Sequence, residues 1–124
     1  MASFKDLVVW QKSMDLVIEI YRLIQLLPRE ELYGLSDQMR RAAVSIPSNI
    51  AEGQGRDSQN DFYRFLSIAQ GSRAELETQL EICIKLNYLS KEDIAKVELL
   101  SEEIRKMLIS LQKTLKLRNS SSIQ

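Results

Sequence analysis

The chain has 124 residues, 44% of them hydrophobic, with four Gly, two Pro, one Cys and no His, which suits a single mostly helical domain. Seventeen Lys and Arg balance 17 Asp and Glu, so the net charge of zero gives no case for nucleic acid or for an acidic partner. No apolar run nears about 18 residues and no leader pattern opens the chain, so a cytoplasmic protein without a membrane partner is expected.

The first helix is predicted from Asp6 to Leu27. Leu7, Trp10, Met14, Val17, Tyr21 and Ile24 recur at threes and fours and read as its core seam, widened by Ile18, Ile20, Leu23 and Leu27. Pro28 stops it, because the residue before a proline is pushed out of helical geometry. The second helix is predicted to start at Ser36, an N-cap residue, and to end at Gly53 or Gly55 in a left-handed termination. Its core stripe is Met39, Ala43, Ile46, Ile50 and Gly53, and Pro47 should kink it.

The third helix follows Asp57 or Ser58 and runs to Asn87, with Phe62, Phe65, Leu66, Ala69, Leu76, Leu80, Cys83 and Ile84 inward. Gly71 interrupts this helix and is expected to mark close approach of a neighbour. Ser90 with Asp93 caps the fourth helix, whose seam is Ile94, Val97, Leu100, Ile104, Met107, Leu111 and Leu115. The run RNSSSIQ, residues 118–124, is polar and periodless and is expected to be a disordered tail after a domain spanning residues 1–117. The fold class is all-α, an antiparallel up-down-up-down four-helix bundle. Val8, Ile18, Leu23, Leu99 and Ile109 lie on secondary faces and leave apolar surface for self-association.

Beside the core stripe of the second helix runs a second line, Gln38, Ala42, Ser45, Asn49 and Glu52. It is small or amide-bearing where a solvated face would carry Lys and Glu, so each polar group needs a partner. Gln38, Ser45, Asn49 and Glu52, with Arg64 and Glu75 of the third helix, are expected to form a polar network. Glu52 and Arg64 would pair across the turn. An oligomer contact and a ligand contact are the other readings of the same residues.

No active site is legible. Without histidine there are no Glu-x-x-His di-iron pairs, no histidine zinc sites and no His-assisted nucleophile. Gly53–Gly55 lacks the Lys-Ser/Thr of a phosphate loop and follows no strand. Cys83 reads as a buried structural thiol. No enzyme, metal or cofactor is expected. Between Ser36 and Arg73 the five bases are all arginine: Arg40, Arg41, Arg56, Arg64 and Arg73. These are the candidates for phosphate contact, weighed against ion pairing with neighbouring carboxylates. Arg40 and Arg56 are expected to be exposed, and Arg41 and Arg64 to be taken up by internal pairs.

The segments FKDLVVWQKSMDLV, LSDQMRRAAVSIPSNIAEGQGR and FYRFLSIAQGSRAELETQLEICIKLNYL carry a family likeness. The chain resembles the small four-helix-bundle proteins encoded within intervening sequences of bacterial 23S ribosomal RNA genes, sometimes labelled S23 ribosomal protein. The likeness spans Phe4 to Leu115 and centres on Gln38, Arg40, Arg41, Ser45, Ile46, Asn49, Ile50, Glu52 and Gly53, with Arg64, Gly71, Ser72, Glu75 and Leu76 as a second block. The accessory variability protein of diversity-generating retroelements shares the fold. The resemblance implies a cyclic homo-oligomer, with a pentamer as the expected form, associated with structured RNA or a nucleoprotein, and no catalysis. The neutral charge favours the alternative, a homo-oligomeric protein-interaction scaffold without nucleic-acid binding.

Overall fold

Four helices account for nearly all of the computed structural model, which describes residues 3–123 and side chains through Arg118. They are α1 (Val8–Ile24), α2 (Leu35–Gln54), α3 (Gln59–Lys85) and α4 (Lys91–Ile123), with short 3-10 turns at Phe4–Asp6 and Arg29–Glu31. Among the described residues there is no strand. Each helix packs on two others, α1 on α2 and α4, and α3 on α2 and α4, which makes a four-helix bundle around one core.

Contacts run in opposite order along the partners. On α2 and α3, Met39 meets Cys83, Ser45 meets Ser72, and Gly53 lies against Phe65. On α3 and α4, Tyr63 meets Gln112 and Glu77 meets Ser101. On α1 and α4, Lys12 meets Glu103 and Glu19 meets Lys96. The helices are therefore antiparallel at these three interfaces.

Local chemistry explains most of the helix ends. Ser58 Oγ accepts from the Asp61 amide at 3.0 Å at the start of α3. Ser90 and Asp93 cap α4 reciprocally, the hydroxyl accepting from the Asp93 amide and the Asp93 carboxylate from the Ser90 amide. Asn87, at φ 62°, ends α3 in a left-handed turn in which the Tyr88 amide reaches back to the Cys83 carbonyl at 2.9 Å.

Two expectations about α2 are corrected. α2 starts at Leu35, and its cap comes from Glu31 of the preceding turn, whose carboxylate accepts from the Leu35 amide, while Ser36 is buried. α2 ends without a left-handed glycine: Gly55 is right-handed at φ −81°. Pro47 lies inside the helix, between Ile46 and Ser48. The backbone of α4 is helical from Lys91 to Ile123.

The core stripes of α2, α3 and α4 lie where the spacing put them, with Leu108 an added core residue. That of α1 does so only in part: Ile24 of the seam, and Ile20, Leu23 and Leu27 of its widening, are buried. Val9, Ser13, Leu16, Ile20 and Leu23 face inward, while Met14 and Tyr21 are exposed and Trp10 and Val17 half-buried. Both lines repeat at threes and fours, so spacing alone does not separate them. Ser13 hides the true core line, and its hydroxyl is satisfied there by donating to the Val9 carbonyl at 2.6 Å.

Candidate functional site

The five arginines fall into three environments. Arg40 and Arg41, near the start of α2, share one carboxylate: Arg40 Nη2 donates to Asp37 Oδ1 at 3.3 Å and Arg41 Nε to Asp37 Oδ2 at 3.0 Å. The Arg41 side chain is 80% exposed and that of Arg40 30% exposed. Arg41 is therefore the more exposed of the two, where Arg40 was expected to be, and both line a cavity with Tyr21 and Val44.

Arg56 and Arg64 form the second environment, at the turn between α2 and α3. Their guanidinium carbons lie 4.9 and 4.6 Å from the centroid of the Phe65 ring, within cation–π range. Arg56 Nη2 donates to Glu52 Oε1 at 2.8 Å, and Arg64 Nε sits 4.0 Å from Asp61. The expected Glu52–Arg64 pair is thus replaced by two pairs within single helices. Side-chain spacing explains the exchange, since Glu52–Arg56 and Asp61–Arg64 are four and three residues apart on one face. Both arginines remain exposed, and both guanidiniums lie against the one ring.

Arg73 is the third case and is a correction. It is 8% exposed and fully engaged: Nε donates to Gln70 Oε1 at 2.8 Å, and Nη1 to Glu77 Oε1 at 2.6 Å and Ser101 Oγ at 3.2 Å. The Ser101 hydroxyl donates in turn to Glu77 at 2.8 Å, which joins α3 to α4. A phosphate could reach this guanidinium only by displacing its hydrogen bonds to Gln70, Glu77 and Ser101, around an arginine side chain that is 9% exposed. The signal for it was present: Leu66, Ala69, Arg73, Leu76 and Leu80 share core spacing.

The polar network between α2 and α3 is smaller than expected. Ser45 and Ser72 hydroxyls meet at 2.7 Å, and Asn49 Nδ2 donates to the Ser45 carbonyl and hydroxyl at 2.8 and 2.9 Å. Gln38, Glu52, Arg64 and Glu75 are exposed and stand outside it. Gly71 is also corrected. A Cβ there would meet nothing within 4 Å, whereas one on Gly53 would lie 2.6 Å from the Phe65 Cβ. Close helix approach belongs to Gly53.

On the opposite side of α2 an apolar groove opens between it and α1. Trp10, Met14 and Val17 face Val44, Pro47 and Ala51 around a cavity of about 340 Å³. A second cavity of about 340 Å³ joins it at Val44 and is walled by Tyr21, Arg40 and Arg41. Among the described residues no group of three or more potential ligands could hold a metal, and no helix is long and apolar enough to cross a membrane.

Comparison with known proteins gives these features a family. Residues 5–110 match the model for the 23S rRNA-intervening sequence protein family. A solved structure from Bacteroides thetaiotaomicron VPI-5482, described as a protein with unknown function from the S23 ribosomal protein family, is similar at 34% identity and TM-score 0.79. The match covers 86% of this chain and 99% of that one. No curated protein sequence matches. This chain belongs to the 23S rRNA-intervening sequence protein family.

Proposed function

We propose that the protein is a non-enzymatic, homo-oligomeric module of the bacterial cytoplasm that associates with structured RNA or a nucleoprotein. The observation that carries the reading is the Arg56–Phe65–Arg64 cluster, two exposed guanidiniums held by one ring at the end of the bundle. Forks ordered in advance lose less side-chain freedom on meeting a phosphate. Arg41 adds a third exposed fork. A ring, with five copies the expected number, would repeat these groups in every subunit, so a chain of zero net charge would still present basic zones. The family to which the chain belongs supports the choice of RNA as the first probe.

The test is titration of the protein with a stem-loop RNA at 50 and 200 mM salt. Binding is expected to weaken steeply over that range as displaced counterions are no longer gained. An Arg56→Ala/Arg64→Ala variant should weaken it further, and Arg73→Ala should act on stability before it acts on RNA. Absence of binding at 50 mM salt overturns the RNA reading. It would leave the scaffold reading, a homo-oligomer that presents its surfaces to other proteins, which the apolar α1–α2 groove favours.

A further inference from the structure

α3 and α4 divide their charge by position along the bundle. Tyr63 and Ser67 meet Gln112, and Gln70 meets the Arg105 carbonyl, so residues 62–74 of α3 lie beside residues 104–118 of α4. These two stretches hold seven bases and no acid. The rest of the pair, from Glu75 to Glu103, carries eight acids against three lysines. A net charge of zero therefore hides two opposed zones. Within the basic zone Arg73 is taken up by its buried bonds, and Glu102 holds Arg105 through Nε and Nη2. Lys113 and Lys116, one and four positions past Gln112, are exposed and, among the described residues, form no ion pair. Arg64, one position past Tyr63, is exposed at the same end, and its approach to Asp61 is a long one at 4.0 Å.

We infer that this acid-free half of the α3–α4 layer takes a double-stranded RNA stem, held by its phosphate backbone. The inference rests on the proposed association with RNA and deepens it. An ammonium without an internal partner meets a phosphate without breaking an ion pair, as Arg40 and Arg41 would have to. The basic stretch of α4 runs about 20 Å at ~1.5 Å per residue, twice the ~10 Å screening length at 0.1 M salt, so the acidic half does not cancel it. On the α3 side Ser67, Gly71 and Ala74 are exposed and small, and a Cβ on Gly71 would meet nothing within 4 Å, which leaves room for a backbone to approach. Single strands are held largely by stacking bases on aromatic rings. Here Phe65 is buried, Phe62 half-buried and Tyr63 37% exposed, so charge and hydroxyl groups are what the face offers. Those groups suit the phosphates and 2′-hydroxyls of an A-form stem. The carboxylates from Glu75 and Glu102 onward repel a backbone that strays past them and set the border of the contact.

Fluorescence anisotropy at 50 mM salt tests this with a blunt RNA duplex and an unstructured single strand of equal length. Wild type should bind the duplex more tightly. Lys113→Glu/Lys116→Glu should weaken duplex binding by about tenfold or more, with helical circular dichroism retained because both side chains are exposed. Lys85→Glu/Lys91→Glu makes the same change of charge within the acidic half and should stay within about twofold of wild type. Glu81→Lys/Glu98→Lys, which lifts repulsion beside the border, should tighten binding. Tighter binding of the single strand, equal losses in the two lysine variants, or no gain in the glutamate variant would each overturn the inference and leave the RNA reading in place. A wild type that binds neither probe at 50 mM salt overturns that reading, and this inference with it.

Discussion

The two sides of α2 carry apolar and small residues at the same three-and-four spacing, yet one side is closed and the other open. Toward α3, small residues let the backbones approach: Gly53 lies against Phe65, Ser45 meets Ser72, and Met39 meets the Cys83 thiol with sulfurs 3.7 Å apart. Toward α1, the larger Trp10, Met14, Val17 and Val44 line one cavity, and Val44 also lines a second. Side-chain size at the contact, more than hydrophobicity, separates the closed side of α2 from the open one.

The sharpest test of the contrast is Leu16→Ala beside Met14→Ala. Leu16 is wholly buried and its loss should cost about 2–5 kcal/mol in denaturant unfolding. Met14 is exposed, so its truncation should cost within about 0.5 kcal/mol. Equal costs would mean that α1 uses both stripes in its core. Gly53→Ala should destabilise by about 1–3 kcal/mol, because the new methyl would sit 2.6 Å from the Phe65 Cβ. A neutral result would show that α2 and α3 have room to move apart.

Cys83 reports on the closed side through pH. Burial first, and the nearby Glu31 charge second, push its thiol from 9.0 up to about 11. The native state then keeps a proton that the unfolded chain loses, so this contribution is intact below pH 9 and is lost as pH rises toward 11. Urea unfolding of wild type relative to Cys83→Ala should shift by on the order of 2 kcal/mol across that interval. A flat difference would place Cys83 in a wetter site.

Smaller effects separate the rest of the polar line. Asn49→Leu should cost about 1 kcal/mol through lost hydrogen bonds to Ser45, and Glu52→Leu within about 0.5 kcal/mol. Thermal melts that rank them the other way would restore Glu52 to the network. Gly71→Ala should stabilise by about 0.5–1 kcal/mol, since the added methyl meets nothing and the helix gains propensity. Destabilisation would show that Gly71 has less room than its open surroundings indicate.

Sequence alone was enough for four helices, most of their caps, the core faces of α2, α3 and α4, and the family, because these rest on local spacing and on residue types that act within a turn. Which of two equally spaced lines on α1 turns inward was decided by tertiary packing, where Ser13 could satisfy itself on the Val9 carbonyl. The fate of the arginines was decided the same way. Arg56 and Arg64 gather on Phe65 from two helices, and Arg73 is tied to Ser101 of α4, 28 residues along the chain. Such pairings depend on how far apart two helices settle and how they are rotated about their axes. Those quantities come from the summed packing of the whole core, which no single segment encodes.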